Sequence, residues 1–347
     1  MTTTSAPTSI PATMRASVLD SAHVLRLEER SVPSPAPDEV LIRVGAVGVC
    51  GSDVHYYKEG RIGDFVVEQP MVLGHEASGT IMAVGAAVDP ARIGQRVSIE
   101  PQRSCRVCSY CKSGEYNLCP EIEFFATPPI DGAFAQYVTI QADFAYEVPD
   151  SVSDNAAALL EPLSVGIAAV QKAKITVGSS VLIAGAGPIG IIAAQVAKAF
   201  GAGRVIVTDP AAGRRELALR LGATEAYDPG DPAAASLRVS AFIDASGVSA
   251  AIRAGIRSVL PGGAAILVGM GEDEMALPVS VITSREIVVT GIFRYHNTWP
   301  TAIHLVTSGQ VDLDALVSDV FSLDEVEAAL KVNATAASMK HVVRPND

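Results

Sequence analysis

Ser180-Val181-Leu182-Ile183-Ala184 is an unbroken apolar run that passes straight into Gly185-Ala186-Gly187-Pro188-Ile189-Gly190. Ile191 to Lys198 follow with the composition of a helix. A buried strand, a glycine turn and a helix in that order constrain the fold more than any other stretch of the chain. The glycines permit a tight turn, let the backbone approach a pyrophosphate, and let the helix pack close to the strand. The first turn of the helix then offers unpaired N–H groups and positive dipole to phosphates. Arg204-Val205-Ile206-Val207-Thr208 reads as a second strand ending in Asp209, 19 residues beyond Gly190, where a ribose-binding carboxylate belongs. Further strand–turn units at 241–247, 264–269 and 288–291 extend the pattern. The expectation is an α/β fold with a doubly wound parallel sheet. Its dinucleotide site draws on Gly185, Gly187, Pro188, Ile189, Gly190 and Asp209, with Val268 and Gly269 at another strand end.

Cysteine usage supplies the second constraint. Cys105, Cys108, Cys111 and Cys119 are spaced x2, x2 and x7 on a polar stretch, which can close a tetrahedral four-thiolate zinc site. Iron–sulfur clusters also use four-cysteine runs, and the bacterial ferredoxin run shares the x2, x2 opening and the closing Pro but has x3 where this chain has x7; the neighbouring Cys/His/Glu set favours zinc. Four thiolates leave no open position, so this site is structural. The fifth cysteine, Cys50, lies in Val49-Cys50-Gly51-Ser52-Asp53-Val54-His55, and Gly74-His75-Glu76 follows. A thiol, an imidazole and a carboxylate in Gly-flanked, turn-like surroundings suit a catalytic zinc that keeps one position for water or substrate. Asp53 fits an orienting role towards His75, whose second ring nitrogen needs an acceptor, and also fits a plain turn cap. The Ala-rich helical run 155–166 is expected to be interrupted at Pro162, and Glu161 just before it reads equally as a helix-end carboxylate and as one that faces the metal.

Bulk properties exclude several classes. At 347 residues the chain exceeds one ordinary core and predicts two domains. The net charge of −12 argues against a nucleic-acid surface, which needs clustered Lys and Arg. No run approaches the roughly 18 apolar residues of a membrane span. Residues 1–13 read as a Thr/Ser/Pro-rich tail rather than a signal peptide, which predicts a cytoplasmic protein with reduced thiols. Between 14 and about 100 the pattern predicts short strands in a partly open β-barrel, among them an alternating, half-buried strand over Glu39–Val44.

The residues by now resemble the zinc-containing medium-chain dehydrogenases, and within them the sorbitol/xylitol (polyol, L-iditol) dehydrogenases. The likeness runs from Met14 onward. It is carried by Cys50-Gly51-Ser52-Asp53-Val54-His55-Tyr56, Gly60-Arg61-Ile62-Gly63-Asp64-Phe65, Pro70 to Glu76, Asn117-Leu118-Cys119-Pro120, Ala126-Thr127-Pro128-Pro129, Glu161 to Gly166 and Phe293-Arg294-Tyr295. The resemblance implies a β-rich GroES-like catalytic domain over 14–157, with a structural zinc lobe at 100–120. An inserted Rossmann domain would span 158–291, with a C-terminal return to the catalytic domain over 292–347. It implies zinc held by Cys50, His75 and Glu76, with Glu161 on the metal or on its water where related alcohol dehydrogenases place a cysteine. Ser52 would take the hydroxyl proton, and His55 occupies the relay position. Arg214 would flank the adenine or temper the charge of Asp209. Tyr56, Phe124, Phe293, Arg294 and Tyr295 would contact a polyol. The implied protein is an NAD-dependent homo-oligomer, a tetramer or dimer, that oxidises a secondary hydroxyl with one catalytic and one structural zinc. Threonine dehydrogenase shares the Cys-Gly-x-Asp-x-His and Gly-His-Glu signatures, and a nucleotide-binding zinc scaffold is the non-enzymatic alternative.

Overall fold

The computed structural model describes residues 9–332 and 338–347, so residues 1–8 of the expected tail lie outside it. Two compact units emerge. The first comprises 9–161, 317–332 and 340–347, and the second is essentially 162–316. An inserted domain was expected, but the chain changes units at 161/162 and 316/317 rather than at 157/158 and 291/292. The later return has a visible cause. Residues beyond 291 form the helix Trp299–Thr307, which buries Trp299, Ala302 and Leu305. Gln195 then holds Asp312, accepting from its N–H at 2.8 Å and donating to its carbonyl at 3.3 Å.

The first unit is built on a seven-stranded sheet. Its order is Ala145–Glu147, Arg96–Ile99, Glu76–Val84, Glu39–Gly48, Lys340–Arg344 and Val317–Ser322, with Tyr137–Gln141 also pairing Glu39–Gly48. The central strand does not alternate as expected: Val40, Leu41 and Ile42 are all buried. It has partners along both edges and core on both faces, and such strands read as continuous apolar runs. At its C-terminal end, Gly48 lies opposite Glu76 on one side and Val342 on the other. Val49 and Cys50 follow, and then the helix Gly51–Glu59, which the turn-like composition around Cys50 did not reveal. Gly60 closes that helix at φ 68°, donating to the Tyr56 carbonyl at 2.9 Å.

The second unit holds a six-stranded parallel sheet in the order Glu225–Tyr227, Arg204–Thr208, Ser180–Ala184, Val239–Asp244, Val259–Leu267 and Val288–Gly291. This is the doubly wound order, whose switch point falls between Ser180–Ala184 and Val239–Asp244. Pro188 opens the helix Pro188–Ala199, at a position where no N–H is needed. A side chain at Gly190 would collide with the Gly185 carbonyl, so the third glycine of the motif is a requirement of helix–strand packing. The Ala-rich run breaks at Leu159, not at Pro162 as expected, and the helix Leu160–Lys172 runs through the proline. Pro162 sits in its first turn, where a missing donor costs nothing. Among the described residues no helix is long and apolar enough to cross a membrane.

One buried acid lies at the base of the cysteine-bearing loop. The Glu100 carboxylate is inaccessible and accepts from the Tyr116 hydroxyl at 2.8 Å and Gln102 Nε2 at 2.9 Å. Burial pushes its pKa up to about 7, which the bonds from Tyr116, Tyr146 and Gln102 oppose and the charge of Asp143 reinforces. An acid with a raised folded pKa contributes fully below its unfolded value near 4.5, and that contribution is lost as pH rises towards 7. The loss amounts to roughly 3 kcal/mol. Glu100→Gln keeps an acceptor for Tyr116 and cannot ionise. It is expected to melt above the wild type at pH 8.5 and to lose that advantage by pH 5, as measured by thermal denaturation at the two pH values.

Candidate metal centre and dinucleotide site

The candidate metal centre is assembled at the end of the central strand of the first unit. Cys50 caps the helix that follows, and Glu76 begins the neighbouring strand. Ligand atoms of Cys50, His75 and Glu76 all lie within 4.8 Å of one another. Asp53, fully buried, ties the two ligand segments together. Its carboxylate accepts from the backbone N–H of Cys50 at 2.9 Å and from that of Gly74 at 2.9 Å. His75 Nδ1 stands 3.8 Å from Asp53 Oδ1, beyond hydrogen-bond range. Asp53 therefore orients His75 through the backbone of the preceding glycine rather than through the ring.

The electrostatics call for a cation. Burial pulls the His75 imidazolium down, but the charge and hydrogen bond of Cys50, with Asp53 and Glu161, outweigh it and push His75 up to about 10. Glu161, 4% exposed, thus acts on the centre without joining the 4.8 Å cluster. Glu76 Oε2 is buried and has no hydrogen-bond partner. An orphaned carboxylate oxygen, a thiol and an imidazole held together in an anionic pocket fit a zinc ion.

Sequence reasoning missed Lys340. It is 4% exposed, ion-paired to Glu76 Oε1, and donates to the Val49 carbonyl at 3.0 Å. Burial lowers the affinity of its ammonium for the proton, while Glu76, Cys50 and Glu161 raise it, with a net upward shift. Lys340 opens the last strand, 264 residues from Glu76, and no local motif marks it.

The remaining predicted residues are spread over both units. Ser52 is half-buried in the first turn of the Gly51–Glu59 helix, and His55 is exposed on it, 3.6 Å from Glu59. Tyr56 is buried on the same helix, and the Phe124 ring lies 5.5 Å from that of His75. In the second unit, Phe293 is exposed beneath the Arg294 guanidinium, 4.7 Å from its ring centre. Tyr295 is buried against Trp299, with ring centroids 5.2 Å apart, so its ring belongs to the core.

The four remaining cysteines converge as expected, with their sulfurs within 4.8 Å of one another. The Cys108 N–H points at the Cys105 sulfur at 3.4 Å, and the Cys111 N–H at the Cys108 sulfur at 3.5 Å. The backbone N–H groups of Val107 and Cys108 hold Cys105 down at about 7, whereas burial pushes Cys119 up to about 12. Backbone donors aimed at sulfur stabilise thiolates, as a closed four-sulfur metal site requires.

In the second unit a cavity of about 670 Å³ opens at the carboxyl ends of the parallel strands, lined by Gly185, Gly187, Asp209, Arg214, Ser246 and Val248 among others. Asp209 is 5% exposed and accepts from Ala186 N–H at 2.8 Å and Ala211 N–H at 2.8 Å. Its orientation is thus fixed, with further lone pairs left for hydroxyls. Val268 and Gly269 lie beside the Gly247 turn, both donating to the Asp244 carbonyl, at 3.0 and 3.1 Å. The buried Asp244 carboxylate, also unforeseen, accepts from Ser246 and Gly247 and shapes that turn.

Residues 36–150 match the family model described as the alcohol dehydrogenase GroES-like domain, and residues 188–308 match that of the zinc-binding dehydrogenases. The chain is 43% identical to a sorbitol dehydrogenase of Bacillus subtilis (strain 168), over 97% of its own length and 99% of that protein. It is likewise 43% identical to a sorbitol dehydrogenase of Gallus gallus, over 94% and 95%. Among solved structures it resembles an Escherichia coli oxidoreductase/dehydrogenase of unknown specificity, with a TM-score of 0.92, 32% identity and 96% and 100% coverage. It also resembles an Escherichia coli CFT073 enzyme described as a short chain alcohol dehydrogenase and complexed with NADH. There the TM-score is 0.90, the identity 27%, and the coverage 96% and 100%.

The two cysteine sites are expected to fail differently. Cys105→Ser should lower the melting temperature, because a closed site contributes folding energy, whereas Cys50→Ser should abolish turnover with the fold largely retained. Elemental analysis should find two zinc ions per chain. Iron with visible absorbance, or equal melting losses with turnover preserved in Cys50→Ser, would contradict the assignment.

Proposed function

Because this chain belongs to the zinc-containing medium-chain dehydrogenases and groups with their polyol dehydrogenases, we propose that it oxidises a secondary hydroxyl of a sorbitol- or xylitol-type polyol to the ketose, reversibly, with NAD as acceptor. The observation that carries the reading is the donor set: one thiol, one imidazole and one carboxylate within 4.8 Å, with a second buried carboxylate, Glu161, acting on the same groups. The identity to named sorbitol dehydrogenases supports the substrate class. A second zinc in the four-cysteine lobe, a homo-oligomeric state and a cytoplasmic setting belong to the same reading, in keeping with five free thiols.

Cys50, His75 and Glu76 would hold the catalytic zinc, which supplies Lewis acidity to the substrate hydroxyl. Asp53 keeps the Cys50 and Gly74 segments in register, so the three donors need no rearrangement. Glu161 directs a water or a neighbouring substrate hydroxyl by accepting its hydrogen bond. Ser52 takes the hydroxyl proton, and the exposed His55, near Glu59, hands it to solvent. Asp209 accepts from the ribose hydroxyls, and the first turn of Pro188–Ala199 faces the pyrophosphate. Hydride transfer from the carbinol carbon is then the chemistry of the nicotinamide.

The cofactor preference follows from Asp209. A 2′-phosphate about 4 Å away would cost roughly 4 kcal/mol at an effective dielectric near 20, part of which Arg214 offsets. We expect kcat/KM with NAD to exceed that with NADP by at least ~100-fold, and Asp209→Ala to narrow the gap. Comparable values in the wild type would contradict the assignment.

The substrate class tests the reading directly. Sites built to bond hydroxyls lose several orders of magnitude when those hydroxyls are missing. Arg294 offers a rigid fork of donors for them. Sorbitol or xylitol should therefore exceed 2-propanol in kcat/KM by about 10³ or more. Arg294→Ala should shrink that ratio while zinc content and NADH binding stay unchanged. Equal rates on simple alcohols would sink the polyol reading.

A further inference from the structure

The groups gathered at the metal centre carry more negative charge than a divalent ion neutralises. Cys50 as thiolate, Glu76 and Glu161 are anions, joined by Asp53, which two backbone N–H groups hold, and all three carboxylates are nearly inaccessible to water. Lys340 is a buried cation beside them, ion-paired to Glu76. Its ammonium is held from two sides, by the Val49 carbonyl at 3.0 Å and by Glu76 Oε1. Both contacts are possible because Lys340–Arg344 lies next to the end of Glu39–Gly48, whose other neighbour is Glu76–Val84. The Glu76 carboxylate reaches across the strand that separates it from Lys340. It crosses over Gly48, where even a methyl group would overlap Oε2 and press on Leu159. The outcome is an asymmetric carboxylate, with Oε1 committed to Lys340 and the buried Oε2 left without a hydrogen-bond partner.

We propose that Lys340 is a positioning residue of the metal centre: it restricts Glu76 to one donor oxygen and offsets part of the excess negative charge, so that the metal is held less tightly and acts as a stronger acid. The inference rests on the reading of Cys50, His75 and Glu76 as the catalytic zinc site. Its logic is electrostatic. A carboxylate freed from its ammonium partner can give the metal both oxygens, and one positive charge fewer next to the metal lowers its pull on a bound hydroxyl. Lys340 therefore sacrifices metal affinity for the acidity of the substrate hydroxyl, and Gly48 leaves room for the Oε2 that the ammonium does not hold.

The test compares Lys340→Gln, which retains hydrogen-bonding capacity without charge, with Lys340→Arg, which retains the charge. The protein is loaded with cobalt(II), whose visible bands separate a one-thiolate centre from the four-thiolate lobe, and is then challenged with dipicolinate. Lys340→Gln is expected to hold the centre's metal about tenfold more tightly than the wild type. In the zinc enzyme, the acidic limb of its kcat/KM profile should move up by about one pH unit. Lys340→Arg should return both quantities towards wild type. A purely structural role for the lysine would loosen the metal and leave the pH profile in place, so metal lost as readily as or more readily than from the wild type overturns the proposal. If Lys340→Gln does not fold, Lys340→Met is measured in the same two ways and decides by the same criteria. A wild type that takes up metal only in the four-cysteine lobe overturns the reading of the centre itself, and the proposal with it.

Discussion

Negative charge concentrated away from water at the end of one strand is the constraint on which the catalytic unit depends. Asp53, Glu76 and Glu161 are each at most 4% exposed, and Cys50 adds a thiol to the group. Buried ions persist only when they are paired, hydrogen-bonded or bound to metal. Each of these has a distinct solution. Asp53 is held by two backbone N–H groups, Glu76 by Lys340, Cys50 by its hydrogen bond with His75, and Glu161 by the neighbouring His75 and Lys340. The fold around them provides the means. Three strands end side by side, so residues near positions 48, 76 and 340 meet although the chain separates them widely.

What the sequence disclosed follows from how local each signal is. The turn from Gly185 to Gly190 is legible because its strand, glycines and helix adjoin in the chain and each glycine answers to a steric or binding need. The cysteine quartet is legible because its ligands lie within fifteen positions of one another. Cys50, His75 and Glu76 are legible as residue types, since few other roles call for that donor set. Lys340 is invisible for the opposite reason. Lys340-His341-Val342-Val343-Arg344 reads as an ordinary strand, and nothing local says that its first side chain turns into the centre.

The misread elements share a cause as well. The helix Gly51–Glu59 starts with glycine and carries polar residues along much of its length, so it lacks the apolar stripe by which helices are recognised. It is fixed instead by its ends, with Asp53 bonded back to the Cys50 N–H and Gly60 in a left-handed cap. Pro162 misleads because proline interrupts helices in general, whereas in a first turn it is tolerated. The late return to the first unit at 317 depends on Gln195 holding Asp312 across 117 residues, which a linear reading cannot detect.

Gly48 joins these two kinds of information. Alone it is a glycine at the end of a strand, a position that tolerates almost any residue. Its requirement arises only once Glu76 and Lys340 flank it, because the carboxylate must cross above the strand to reach the ammonium. The residue that a metal centre excludes can thus matter as much as those that it recruits. A side chain at 48 would occupy the space of Glu76 Oε2, the oxygen that the ammonium leaves free. The Glu76 carboxylate would then be displaced whatever residue stood at 340. The absence of a single Cβ is therefore a condition for the charge balance, and it acts through space rather than through any bond that the glycine makes.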